Sequence, residues 1–334
     1  MKVLVLGGTR FVGLRLVRLL AREGFDITLL NRGKTEAQLP PGIKRLYADR
    51  REPDTVREAL RGRSFDIVYD MTGYQVRNLE PVIEMLEGRI KHYIFQSTCG
   101  VYALSETVPI REDFPTWSPE TPLRGPAAYE IEKVQCELFL LKAFKERGFP
   151  VTIIRCPVIY GPENWMDERE ASYFVRLTLG RKILIPGNGS SLLHMVHVDD
   201  VARAHLTISG REDTFGKIYN IAGPEAITIN GYIDAIAKAM GVEAQKVYLE
   251  PHIVRGLKRR IFPFFWERNL IYDISKAKEE LGFFPQYDIY NGLKHTYEWW
   301  VREKGVERTR FIPGRLGYDV DLDYEDEVLR QYAT

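Results

Sequence analysis

The sequence predicts an α/β protein built on a doubly wound parallel sheet, with a smaller mixed lobe toward the C-terminus. Three observations predict it. Short β-branched runs alternate with amphipathic helical stretches through the first 155 residues. The first run enters a glycine-rich turn, "GGTRFVG" (7 to 13), which opens straight into a helical pattern. After about residue 160 the alternation loosens. Strands joined by helical crossovers lie parallel, and the ligand crevice of such a sheet lies at the carboxyl ends of its strands.

The strand-like runs are "KVLVL" (2 to 6), "DITLL" (26 to 30), "KRLYA" (44 to 48), "DIVYD" (66 to 70), "HYIFQ" (92 to 96) and "VTIIR" (151 to 155). In the first helix Phe11, Leu14, Val17, Leu20 and Ala21 share a face with a period near 3.6. Beyond Tyr160 come a polar loop (161 to 170), a helix (171 to 180), the turn "PGNGSS", a strand "HMVHV" and a helix from Asp199. Asp199 and Asp200 read as the N-cap and first-turn acid of that helix. The acidic, tyrosine-rich "YDVDLDYEDE" (318 to 327) reads as a solvated surface wrap. Residues 1–160 are therefore expected to form a dinucleotide-binding domain of Rossmann type, rejoined by segments at about 190–222. Residues 161–334 form mainly a substrate-binding lobe interleaved with it.

Composition narrows the function. With 47 basic and 46 acidic residues in 334, the chain has a net charge of +1 and no broad field to recruit nucleic acid or an anionic membrane. Cys99, Cys136 and Cys156 are odd in number and form no CxxC pair, which fits a reducing cytoplasm and neither a disulfide scaffold nor a metal site. The six histidines show no HExxH spacing. The apolar start stops at Gly7 and reads as a strand and turn, not as a leader. No run approaches the length of a membrane span.

A glycine turn between a buried strand and a helix is the context in which free helix N-terminal amides bind a pyrophosphate. Gly7 permits the tight turn and Gly13 lets the helix pack close to the sheet. Thr9, Arg10, Phe11 and Val12 complete the loop, with an arginine where a middle glycine would stand. The second strand ends at "LLNRG", without the Asp or Glu that binds a ribose 2′-hydroxyl in an NAD site. It offers Asn31 and Arg32, with Lys34 close behind. Arg10 and Arg32 would project toward the adenosine end, which favours the 2′-phosphate of NADP. The alternative is an NAD enzyme whose Asn31 handles the hydroxyls, with Arg10 facing solvent.

In "AAYEIEKVQCELFLLKAF", Tyr129 and Lys133 are four apart and share a helix face. A tyrosine with a free pKa of about 10 needs a nearby positive charge to act as a base at neutral pH, and the lysine ammonium supplies one. Upstream, "HYIF" runs into "QSTCGVY", which puts Thr98 at the carboxyl end of the fifth strand, where its hydroxyl can bond a substrate oxygen.

With "GGTRFVG", "ADRRE", "QSTCGVY", the Tyr129/Lys133 pair, "RCPVIYGP", "VHVDDVA" and "DISKAKEELGFFP" in hand, the sequence resembles the extended short-chain dehydrogenases/reductases, in their atypical, epimerase/dehydratase-like branch. The resemblance implies a catalytic set of Thr98, Tyr129 and Lys133. It implies Asp49 and Arg50 by the adenine, Thr72 and Gly73 lining the cofactor, and Pro157 to Ile159 flanking the nicotinamide. It also implies a homodimer through a bundle that includes the Tyr129 helix.

Dehydratases of this family carry an acid just after the catalytic hydroxyl, whereas Cys99 and Gly100 follow here. Elimination is therefore not expected, and the small residues leave room for a sugar ring to turn over, as an epimerase requires. Leu193 stands where similar epimerases have a diphosphate-holding arginine, and Val158 where they have an asparagine. Either Arg169, Arg176, Arg259 or Arg260 replaces that charge, or the substrate carries no diphosphate. Tyr74, Gln75, Trp165 and His194 are pocket candidates beside Cys99 and Gly100. Cys99 also reads as a small packing residue. The expected activity is that of an NAD(P)-dependent sugar or nucleotide-sugar epimerase. The alternatives are an NADPH-dependent ketone reductase and a non-catalytic relative resembling chloroplast stem-loop RNA-binding proteins.

Overall fold

The computed structural model describes residues 1–123, 127–264, 267–305, 309–314 and 319–332. The chain forms two compact units. The first comprises Met1–Ile159, Val198–Ala222 and Tyr272–Phe284, and the second Tyr160–His197, Gly223–Ile271 and Pro285–Thr334.

In the first unit, strands β1 (Lys2–Leu6), β2 (Asp26–Asn31), β3 (Lys44–Tyr47), β4 (Ile67–Asp70), β5 (His92–Thr98) and β6 (Val151–Cys156) alternate with helices. These are α1 (Phe11–Arg22), α2 (Pro53–Leu60), α3 (Val76–Leu86) and α4 (Ala128–Arg147). The seven-stranded sheet runs β3-β2-β1-β4-β5-β6 and ends on the strand Ile218–Asn220, with every pairing parallel. All six strand-like runs of the sequence are strands of this sheet. Continuous apolar strands such as "KVLVL" suit a sheet covered by helices on both faces, and Val3 to Leu6 are fully buried. The chain reverses its direction of travel across the sheet between β1 and β4. At such a switch point the strand ends diverge and leave a crevice.

Buried ion pairs brace the strand ends. Arg50 grips Asp70 at 2.5 and 2.8 Å, and the Tyr93 hydroxyl donates to the same carboxylate at 2.5 Å. Arg155 and Ser97 both donate to Glu137, tying β5 and β6 to the middle of α4. Two later segments return to this unit. The helix Val198–Ile208 packs on α1, with Arg15 donating to both oxygens of Asp199 at 2.6 and 2.7 Å. Asp199 and Asp200 occupy its first turn. The second return contains the helix Ser275–Leu281 of "DISKAKEELGFFP".

The second unit carries the helices Glu170–Thr178, Ile229–Met240 and Ile289–Lys304. An antiparallel pair joins Leu192–His197 to Ala226–Thr228, and a parallel pair joins Ile183–Pro186 to Lys246–Leu249. The acidic tail departs from the sequence expectation. Its first residue, Tyr318, lies outside the described residues, but Leu322–Tyr332 is a helix with Leu322, Glu325 and Val328 buried. That i, i+3, i+6 spacing gives the charged segment an inward stripe, on which Glu325 receives Arg176 at 2.6 Å. Among the described residues no helix is long and apolar enough to cross a membrane.

Candidate dinucleotide and catalytic site

The glycine turn after β1 is tightly packed, with a different glycine in the middle role. Gly7 (φ +111°) and Gly8 (φ +85°) both lie in the left-handed region. A side chain on Gly8 would come within 2.9 to 3.3 Å of Leu29, Val17 and Val5. One on Gly13 would meet the Gly8 amide nitrogen at 2.8 Å, so the first turn of α1 lies directly against the loop. Gly8 therefore does the close-packing work, and Arg10 is released to be the exposed N-cap of α1. The Arg10 side chain does not cap the helix. The first-turn amides, which have no acceptor within the helix, thus suit a pyrophosphate. Phe11 holds φ +42° as a buried residue, a strained conformation fixed by packing. Thr9 and Val12 are half-buried beside it.

At the end of β2, the Asn31 side-chain oxygen accepts from the Gly33 amide at 2.9 Å and from Arg45 at 3.2 Å. Arg45 comes from β3, where Leu29 pairs with Arg45 and Asn31 with Tyr47. Arg32 and Lys34 are exposed on the turn. Asp49 accepts from Arg51 at 2.6 Å, and this bond, helped by the charge of Arg32, lowers its pKa to about 2. Arg50 differs from its expected place by the adenine. Its guanidinium is buried on Asp70 and also donates to Thr72 Oγ1 and the Asn78 carbonyl, so it braces the Thr72 turn from within. Thr72 bonds back to the Leu6 carbonyl at the end of β1. Gly73 is compressed between Leu79, Phe95 and Asp70, which leave no room for a side chain.

The three expected catalytic residues come from two neighbouring elements. Thr98 ends β5 and accepts from the Gly100 amide at 3.1 Å. The single helical turn Cys99–Val101 packs on α4, which carries Tyr129 and Lys133. Tyr129 is 43% exposed, with its ring 6.3 Å from that of Tyr74. Lys133 is buried, and its ammonium donates to the carbonyls of Gly73 (2.8 Å) and Gln96 (2.7 Å) above the Phe95 ring. Burial lowers its pKa to about 8. Two of its three N–H groups are thus fixed on the turn after β4 and on β5.

Four of the pocket candidates are corrected here. Cys99 faces the interior, its thiol pushed well above the ordinary range by burial, which is the setting of a packing residue. The space at Gly100 is filled: a Cβ there would lie 2.9 Å from Glu130 Cγ, 3.5 Å from its Oε1 and 3.4 Å from Thr98 Oγ1. The Glu130 side chain of α4 thus lies against Gly100. Gln75 bonds Glu132 and Arg77, fixing the start of α3 against α4. In the second unit His194 is buried on the Gly223 carbonyl at 2.9 Å. Of the substitute anchors, Arg176 is closed on Glu325, Arg259 pairs with Asp321, and Arg260 bonds the Phe262 and Pro263 carbonyls. Trp165 is partly exposed, and half-buried Arg169 precedes the helix Glu170–Thr178. Pro157 and Ile159, after β6, are half-buried. An open cavity of about 590 Å³ in the second unit is walled by Pro186, Asn188, Tyr248 and Glu250, and none of these candidates lines it.

Sequence reasoning missed Gly8, Arg45 and Glu130. The doubled glycine was a visible signal. The other two depend on strand register and helix contact, which no local pattern encodes.

The model of the NAD dependent epimerase/dehydratase family matches residues 3–222. The chain is similar to the chloroplast stem-loop binding protein of 41 kDa b of Arabidopsis thaliana, 34% identical over 310 residues that cover 89% of this chain and 78% of that protein. It is 27% identical over 211 residues to a UDP-glucuronate 4-epimerase of Thermodesulfobacterium geofontis, covering 63% of this chain and 59% of that one. The UDP-glucuronic acid 4-epimerase of Bacillus cereus, solved in complex with NAD, has the same fold, with a TM-score of 0.73 at 21% identity over 91% of this chain and 98% of that one. The chain belongs to the NAD-dependent epimerase/dehydratase family of extended short-chain dehydrogenases/reductases.

Proposed function

We propose that the protein is an NAD(P)-dependent epimerase of a sugar or nucleotide sugar, with Tyr129 as its acid/base. The observation that carries the proposal is Lys133: its bonds to Gly73 and Gln96 draw α4 onto the ends of β4 and β5, beside Thr98 and within the unit that bears the glycine turn. Gly7, Gly8, Gly13 and the α1 amides would hold the pyrophosphate, and Lys133 the nicotinamide ribose. When bound, the dinucleotide supplies a hydride acceptor that can return the hydride. Tyr129 takes the proton from a sugar hydroxyl and gives it back, Thr98 hydrogen-bonds the same oxygen, and the Lys133 cation favours the phenolate. NADP is the cofactor that the acid-free end of β2 favours.

The test is an absorbance scan of purified protein mixed with UDP-, GDP- and CDP-sugars. An epimerase converts sugar with no net change in the cofactor's redox state. Stoichiometric NADPH consumption by a ketone would replace this reading with a reductase. A second reading, RNA binding, is favoured by the 34% identity to a protein named for stem-loop binding. Salt-sensitive retention of a stem-loop RNA that survives Tyr129→Phe would support it.

A further inference from the structure

Among the described residues, the edge of the sheet where β2 and β3 end holds a charge, Arg45, with no carboxylate in an ion pair with it. Arg45 is half-buried, with one Nη donating to Asn31 Oδ1 at 3.2 Å and its guanidinium 5.4 Å from the centre of the Tyr47 ring. Its Nε is buried and makes no hydrogen bond among the described residues, and no carboxylate pairs with it there. The nearest acid in the chain, Asp49, is already engaged by Arg51. Arg32 and Lys34 add two more cations on the adjoining turn. That turn is shaped to the ring beneath Arg45: Gly33 holds φ +72°, and a side chain on it would strike Tyr47 at 2.9 Å.

A guanidinium has five donors in a planar fork that matches phosphate oxygens, and withdrawing it partly from water without a partner is costly. Here the fork is held at one corner by Asn31 and on one face by Tyr47, which restricts the orientations open to its other Nη donors. They stand at the end of the strand that, in a dinucleotide fold, meets the adenosine ribose. We propose that Arg45 is the principal ligand of a 2′-phosphate and, together with Arg32, sets the protein's preference for NADP over NAD. The proposal rests on the dinucleotide reading above and identifies a residue outside the motif that suggested it.

The test is calorimetric titration of wild-type protein, Arg45→Met and Asn31→Asp with four probes: NADP⁺, NAD⁺, 2′,5′-ADP and 5′-ADP. Arg45→Met is expected to weaken NADP⁺ and 2′,5′-ADP by about 10- to 100-fold, the worth of charge-assisted bonds to phosphate, while NAD⁺ and 5′-ADP stay within about 2-fold. Asn31→Asp keeps the side-chain volume and gives Arg45 a carboxylate, and it is expected to reverse the preference toward NAD⁺. This second variant decides the matter if Arg45→Met fails to fold. Equal weakening of NADP⁺ and NAD⁺, or none, overturns the proposal. So does equal affinity of the wild type for both dinucleotides, which leaves the dinucleotide reading intact. Binding of neither by the wild type overturns that reading and this one with it.

Discussion

Arg45 and Arg50 stand five positions apart on one stretch of chain and end in opposite circumstances. Arg50 is buried with a full carboxylate partner, Asp70, and its bonds join the end of β4 to the start of α3. Arg45 is half-buried with an amide oxygen and an aromatic ring for company. The difference teaches how to sort charges in this molecule. Closed pairs such as Arg50–Asp70, Arg155–Glu137 and Arg176–Glu325 hold elements together. Arg45 and Thr98, near the strand ends, are not closed in such pairs, and on the proposed reading they meet the ligand.

The contrast can be broken most forcefully at Asp70. Asp70→Ala leaves the Arg50 charge buried without compensation and should lower stability by about 3–5 kcal/mol in denaturant unfolding. A loss under about 1 kcal/mol would erase the distinction between closed and open charges. Tyr129→Phe, on the open side, should lower turnover by about 10²-fold or more, as for a positioned acid/base, with unfolding within about 0.5 kcal/mol of wild type. Near-normal turnover would end its assignment. Arg32→Glu should raise the Michaelis constant for NADP about 10-fold more than for NAD. Equal effects would remove Arg32 from the cofactor.

A pH-dependent effect concerns Lys133. Its pKa is lowered by burial from 10.5 to about 8. Below pH 8 it is protonated whether the chain is folded or not. Between about pH 8 and 10.5 the folded protein has released a proton that the unfolded chain retains, so the Lys133 contribution makes stability rise with pH across that window. The difference in unfolding free energy between wild type and Lys133→Met should therefore shift in favour of wild type from pH 8 to 10.5. A flat difference would show that Lys133 is not desolvated.

Much of the first unit was legible because its signals are local. A β-branched run and a glycine turn before a helix each act within a few residues. The crossover rule fixes the hand of each parallel connection once the strands are known. What escaped depends on distant partners. Arg45 reaches Asn31 only through the β2–β3 register, and Glu130 reaches Gly100 only because α4 packs on the turn after β5. Arg176 looked available for a phosphate until the tail, read as solvated, proved to be a helix carrying its partner Glu325. A charge in sequence carries no mark of whether its counter-ion lies elsewhere in the chain.

The central claim is that the open groups at the strand ends of the first unit mark a bound dinucleotide. The most direct test is a crystal structure of the protein grown with NADP⁺. The account predicts the pyrophosphate on the amides at the start of α1, the 2′-phosphate between Arg32 and Arg45, and the Tyr129 hydroxyl within hydrogen-bond reach of the nicotinamide ribose. Density for the dinucleotide elsewhere, or a 2′-phosphate pointing away from Arg45 into solvent, would contradict it.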